Sequence, residues 1–222
     1  MAFTVHAVMP GVWHIVDCMG VCMTLLEGEN AAMLVDTGYG IEDVADFMRH
    51  MTDLPLTVFL THNHHDHAMG ARCFPETYML EADMADWRMF TDDKMRRRVL
   101  TQAIGKNLPV DEKTFLAGEI PLPKVMKPGV IDLGGLTAEI IEAPGHTPGS
   151  AVVYVPERKL LLSGDDWNPC TWLFFPQALG LREYRSNMRG IQQLPFEKVL
   201  CPHREALYDR WMFDDFFNAL TD

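Results

Sequence analysis

The six residues His62-Asn63-His64-His65-Asp66-His67 carry four imidazoles and one carboxylate. That density suits neither an apolar core nor an ordinary surface. The stretch follows directly on Leu56–Thr61 (L-T-V-F-L-T), a near-continuous apolar run that reads as a strand covered on both faces. In an extended backbone, side chains two apart share a face, so His62 and His64 can grip one ion from one side. Asp66 and His67 fall where the chain must turn, and a turn can aim adjacent side chains at a second point. Imidazole and carboxylate suit zinc, iron and manganese.

Three further candidates lie at the ends of predicted strands. His146 sits in A-P-G-H-T-P-G-S (Ala143 to Ser150), Asp165 in L-S-G-D-D (Leu162 to Asp166), and His203 in C-P-H-R (Cys201 to Arg204). Taken singly, each reads as a turn residue or a cap. Their shared placement changes the reading, because loops at one edge of a sheet can converge on one site. Asp36, in D-T-G at another strand end, is either a turn residue or a support for the histidine loop. A protein nucleophile is not expected, since there is no G-x-S-x-G elbow. Cys201 reads as a small buried hydrophobe. Cys18 and Cys22 lack the second pair that would complete four zinc ligands. His6, His14, His50 and His65 read as structural, with His65 also placed to touch groups behind the ligands.

In order along the chain, H-x-H-x-D-H (His62 to His67), G-H-T-P-G-S (around His146), G-D (Gly164-Asp165) and a late His203 resemble the pattern of the metallo-β-lactamase-fold hydrolase superfamily, in its glyoxalase II-like and lactonase-like branch. The upstream D-T-G (Asp36 to Gly38) matches as well. The resemblance implies an α/β (α+β) fold, a four-layer αββα sandwich in one domain over 1–222, with the site at one edge between two sheets. It implies His62, His64 and His146 as ligands of a first metal and Asp66, His67 and His203 as ligands of a second. Asp165 is then the bridging carboxylate. The expected cofactors are two divalent ions, zinc foremost, with iron and manganese as the alternatives. The late histidine departs from the usual Gly-His-Gly setting, standing in Pro202-His203-Arg204.

Two divalent ions about 3.5–4 Å apart can share a water and lower its pKa to around neutrality. The expected reaction is attack of that hydroxide on an ester, lactone or thioester of a small molecule. Asp66 is the catalytic candidate, orienting the hydroxide or returning a proton to the leaving group. Two other activities share this fold: a diiron redox module of the flavodiiron type, and a phosphodiesterase or nuclease. Flavodiiron proteins typically carry Glu in the first motif, where this chain has His64. A glyoxalase II proper carries a C-terminal helical substrate domain, whereas about twenty residues follow His203 here. After Asp165, Trp167, Trp172, Phe174 and Phe175 crowd into nine residues and could form an apolar wall over the metals, with Tyr184 and Arg185 offering a phenol and a cation to the same cleft.

The elements that must position these groups can be read from periodicity. Strands are expected at Val12–Asp17, Cys22–Glu27 and Ala31–Asp36, with Glu27-Gly28-Glu29-Asn30 as a hairpin turn. Apolar residues at Ile41, Val44, Ala45, Phe47 and Met48 predict a helix over Ile41–Met51. Glu81–Lys106 reads as one or two helices, with Thr91-Asp92-Asp93 as a break and N-cap. The bases of Lys94–Arg98 read as a solvated helix face. Leu116–Pro128 reads as a Pro-rich loop leading into a short strand. Strands return at Leu136–Glu142, Ser150–Val155, Lys159–Ser163 and Glu197–Cys201, and helices are expected at Leu181–Gln193 and Glu205–Leu220. This rhythm suggests two sheets with helices outside.

Composition bounds the partners. Across 222 residues, 19 Lys and Arg against 31 Asp and Glu give a net charge of −12, which disfavours nucleic acid and anionic membranes. Five cysteines without a disulfide-like spacing, no secretory leader and no apolar run of about 20 residues predict a cytoplasmic protein. A small-molecule substrate is expected, and homo-oligomerisation is left open.

Overall fold

In the computed structural model, residues 3–220 are described. The chain begins with an antiparallel meander of β1 (Thr4–Met9), β2 (Val12–Val16), β3 (Cys22–Glu27) and β4 (Ala32–Val35). Helix α1 (Val44–Met51), capped by the Asp43 carboxylate, leads into β5 (Leu56–Phe59), which runs parallel to β4. A short helix α2 (His65–Ala68) follows. Next come β6 (Tyr78–Met79), α3 (Trp87–Thr91), α4 (Asp93–Gly105), α5 (Glu112–Phe115) and β7 (Lys124–Val125). β6 and β7 extend the parallel side of a seven-stranded sheet, ordered β1 to β7.

The second sheet starts with β8 (Gly129–Asp132), β9 (Thr137–Glu142), β10 (Ala151–Val155) and β11 (Leu160–Leu162), all antiparallel. After α6 (Leu181–Gln192), β12 (Lys198–Leu200) pairs parallel to β11. β13 (Tyr208–Asp209) closes the edge and α7 (Arg210–Ala219) follows it. The spatial order is β13-β12-β11-β10-β9-β8.

Period-two alternation builds the layers. In β4, Met33 and Val35 enter the core between the sheets, while Ala32 and Leu34 pack outward with Val44, Ala45 and Met48 of α1. In β10, Ala151, Val153 and Val155 face that central core, while Val152 and Tyr154 pack outward with Met188 and Ile191 of α6 and Phe213 and Phe217 of α7. Strands apolar on both faces need cover on both sides, and the result is helix, sheet, sheet, helix. This is the αββα arrangement that the resemblance implied.

Several element expectations need correction. β1 was not foreseen: its residues are only half-buried or exposed, so it carries little apolar alternation. β6, β7 and β13 are two-residue pairings fixed by neighbouring strands, and α5 is a single turn. β8 lies just past the Pro-rich stretch and is mostly exposed. The helix expected from Glu81 begins as a 3-10 turn over Glu81–Asp83, and α4 starts after the Asp92 cap. The C-terminal helix starts at Arg210 rather than Glu205, because Tyr208 and Asp209 pair with β12. No helix among the described residues is long and apolar enough to cross a membrane.

Candidate metal centre

β4 and β5 run parallel, as do β11 and β12, so the C-terminal ends of each pair lie side by side. Two backbone bonds tie the sheets together at that edge. Ala151 N donates to Thr61 O at 2.9 Å, and Cys22 N donates to Pro202 O at 2.7 Å. The loops after β5, β9, β11 and β12 therefore meet.

All seven residues singled out from the sequence come together. His62, His64 and His146 bring ligand atoms within 4.8 Å of one another, as do His62, His67 and Asp165, and Asp66, His67 and His203. His203 Nε2 lies 3.1 Å from Asp165 Oδ2, and His67 Nε2 and His146 Nε2 each lie 3.5 Å from the same oxygen. Asp66 Oδ2 is 3.7 Å from both His67 Nε2 and His203 Nε2. Asp165 thus stands between the groups, and the Pro202-His203-Arg204 setting still delivers His203 to the cluster. The strand does not continue through the histidines. It gives way to α2, which turns Asp66 and His67 inward and leaves His65 edge-on to Tyr39 at 5.5 Å.

Second contacts aim the rings. Asp36, at φ 65°, accepts from Thr61 N at 2.7 Å and from His67 Nδ1 at 3.0 Å. With Nδ1 held by that carboxylate, His67 directs Nε2 at the cluster. His146 Nδ1 donates to the Trp172 carbonyl at 2.7 Å, which turns Nε2 to the cluster, 2.9 Å from His64 Nδ1. His62 Nδ1 pairs with Thr61 Oγ1 at 3.0 Å. The support role left open for Asp36 is the one the structure bears out.

Asp83 gave no signal in the sequence, yet it joins the two histidine loops. Its buried carboxylate accepts from Asn63 N at 3.2 Å, between His62 and His64. It also accepts from Thr147 Oγ1 at 2.8 Å and Gly149 N at 2.6 Å, beside His146. A Cβ on Gly149 would lie 2.6 Å from Asp83 N, so glycine is required for this approach. Asp166 is a second missed residue: its Oδ1 accepts from His146 N at 2.9 Å. Nothing in a lone E-A-D or D-D separates such carboxylates from exposed ones.

The electrostatics of the cluster are those of a cation site. Burial, with neighbouring imidazoles, holds His62 well below the usual histidine range and pulls His64 down to about 3. Burial also works against the charge on His67, but Asp165, Asp66 and Asp36 outweigh it and push that ring well up. Burial would raise Asp165, yet His67 and His203 hold it well below the carboxylate range. His62 Nε2, His64 Nε2, His67 Nε2 and Asp165 Oδ1 are buried with no hydrogen-bond partner among the described residues. Ring nitrogens and carboxylate oxygens of this kind, with ligand atoms within 4.8 Å of one another, fit metal ions as their missing partners.

The aromatic wall forms in part. Phe175 packs on His64 at 5.0 Å and His146 at 5.6 Å, Phe90 on His64 at 4.4 Å, and Trp172 on His203 at 5.3 Å. Phe174 is exposed beside them. Trp167 is not part of this wall. It is buried against Tyr208 and Phe213, because the turn after Asp165 sends it into the core under α7. Tyr184 likewise offers no free phenol: it is fully buried and its hydroxyl donates to the Asp166 carbonyl.

Of the remaining histidines, His6 pairs with Glu205, His14 bonds Thr24 Oγ1, and His50 bonds the Asp46 carbonyl. Cys22 and Cys201 are buried, and no cysteine joins a ligand group among the described residues.

The family model of the metallo-beta-lactamase superfamily matches residues 16–203. The acyl-coenzyme A thioesterase MBLAC2 of Gallus gallus is 26% identical over 202 residues, covering 81% of this chain and 70% of that protein. The fold is shared with the metallo-beta-lactamase FIM-1 from Pseudomonas aeruginosa in its mono-zinc form, at a TM-score of 0.67, 17% identity, and 96% and 92% of the two chains. It is also shared with TTHA1623 in a di-iron-bound form, at a TM-score of 0.61, 22% identity, and 87% and 92% of the two chains.

Proposed function

This chain belongs to the metallo-beta-lactamase superfamily, and from that premise we propose that it is a dinuclear metal hydrolase cleaving an ester, lactone or thioester of a small molecule. One observation carries the reading: seven imidazole and carboxylate groups converge with buried, unpartnered nitrogen and oxygen atoms. His62, His64 and His146 would hold one ion, Asp66, His67 and His203 the other, and Asp165 both. Such ions, when bound, polarise a substrate carbonyl and make water a nucleophile near neutral pH.

The chain's own residues do the rest. Asp36, Thr61 and the Trp172 carbonyl lock the rings of His67, His62 and His146 before substrate arrives, so no reorganisation is needed during reaction. Asp66 turns Oδ2 toward the cluster, while Oδ1 lies 3.8 Å from His65 Nδ1. Its outer oxygen can take a proton from the attacking water and return it to the leaving group. Phe90, Phe175 and Trp172 keep water from the acyl side, which suits an apolar acyl group. The thioesterase relative favours a thioester among the three substrate types.

Metal analysis of protein purified without added metal, together with an acyl-substrate panel, tests this. Close to two zinc ions per chain with thioester or lactone turnover is the expected result. Iron with a visible absorption band and no hydrolysis would favour the redox alternative instead.

A further inference from the structure

The basic run Lys94–Arg98 is not a uniformly solvated face. Arg96 turns inward, is buried, and donates to the carbonyl of Phe115, the last residue of α5, and to those of Ala117 and Gly118 just beyond it. Lys94 and Arg98, one turn apart on α4, remain exposed and make no ion pair among the described residues. They line one cleft of about 360 Å³ together with Met89, Met95 and Asp92. The Asp92 carboxylate is engaged as the α4 cap, accepting from Met95 N at 2.8 Å. In a chain of net charge −12, two unpaired cations sharing a cleft are a local exception.

The cleft adjoins the metal centre. Met89 precedes Phe90, whose ring packs on His64 at 4.4 Å, and Met89 Sδ accepts from Gln177 of the aromatic loop at 2.9 Å. At the other end, Met95 and Val99 of α4 pack in one apolar cluster with Tyr39 and with Ala68, which ends the helix that carries His65 and Asp66. The rim of the centre therefore has two characters. Trp172, Phe174 and Phe175 make an apolar side, and Lys94 and Arg98 make a cationic side with thioether walls.

Building on the hydrolase reading, we propose that the α4 cleft seats an anionic leaving group and that the substrate is an acyl thioester of a phosphorylated thiol. The acyl chain lies on the aromatic side, the carbonyl at the histidine and aspartate cluster, and the phosphates against Lys94 and Arg98. Hydrolysis adds water across the thioester. The new C–O bond forms as the C–S bond breaks, one proton ends on sulfur, and the products are a carboxylic acid and the free thiol. Phosphate is preferred over carboxylate because two cations spaced by a helical turn match a ligand with more than one negative charge.

The test uses metal-loaded full-length protein and three thioesters of one acyl group, carried on coenzyme A, on glutathione and on neutral N-acetylcysteamine. In Lys94→Ala and Arg98→Ala, the KM ratio of the coenzyme A ester to the neutral ester should rise about tenfold. Charge reversal, Arg98→Glu, should raise it further, and added salt should raise it in the wild type. Free coenzyme A, titrated calorimetrically, should bind the wild type and bind Lys94→Ala/Arg98→Ala at least about tenfold more weakly. An unchanged KM ratio would overturn the cleft assignment while leaving the hydrolase reading standing, since the neutral ester is still cleaved. An equal response of the glutathione ester would overturn the phosphate assignment. No binding of free coenzyme A by the wild type would overturn the proposal whatever the turnover. Failure to hydrolyse any thioester, with free coenzyme A still bound at Lys94 and Arg98, would count against the hydrolase reading and not against the cleft.

Discussion

Replacing Asp83 by alanine takes one acceptor from both halves of the centre at once. Asn63 N, Thr147 Oγ1 and Gly149 N lose partners at 3.2, 2.8 and 2.6 Å. A buried donor left without an acceptor costs about 1–3 kcal/mol, so three cost about 3–9 kcal/mol gross. Two effects reduce this. Thr147 Oγ1 keeps Ser150 Oγ at 2.9 Å, and burial already raises the Asp83 carboxyl, so removing it recovers desolvation free energy. A net loss of about 3–5 kcal/mol lowers Tm by roughly 6–20 °C in a chain of this size. Metal affinity should fall about 10–100-fold, since the carboxylate holds both histidine loops in place. Asp83→Asn should fall between the two, because either amide orientation sets an NH2 against a backbone N–H. Calorimetry of metal-free and metal-loaded protein, with metal content measured on the same samples, reads both quantities. A Tm within about 2 °C of wild type with full metal content would refute the idea that one carboxylate ties the loops together.

The remaining predictions concern the cluster, the wall, the core and pH. His62→Ala or Asp165→Ala should lower metal content and abolish turnover, whereas His50→Ala, on the exposed end of α1, should do neither. Phe174→Ala should raise KM for long-chain acyl substrates more than for acetyl ones, measured over a chain-length series, because only the long chain reaches that ring. Trp167→Ala should cost about 3–5 kcal/mol in chemical denaturation, the price of a cavity under α7 rather than of a lost substrate contact. Burial lowers the His14 pKa from 6.5, so the unfolded chain binds the proton more readily. The stability it supports is present above that value and is lost as pH falls through the unfolded pKa toward the folded one. His14→Gln should flatten the fall in denaturation midpoint over that window.

The donor set was legible in the sequence because its signal is local. Four imidazoles and a carboxylate in His62–His67 need no partner to stand out, and His146, Asp165 and His203 each sit at the end of a strand with its own apolar pattern. The continuous apolar run Leu56–Thr61 likewise announced a strand covered on both faces, and the rhythm of strands and helices announced a layered fold. Of the elements that escaped, β1 buries too little to show an apolar pattern, and β6, β7 and β13 are two-residue pairings whose existence depends on the strand beside them.

Amino-acid order alone determined which groups could bind a cation and which segments would carry them. Tertiary structure decided everything that depends on a partner far along the chain. Asp83 meets Gly149 across 66 residues, and Asp36 meets His67 across 31. Trp167 turns into the core while Trp172, five residues on, lies on His203. Arg96 is buried while Lys94 and Arg98 share an open cleft. The reason is physical: spacing fixes which side chains share a face, but the partner that satisfies a buried polar group is chosen only when distant backbone closes around it.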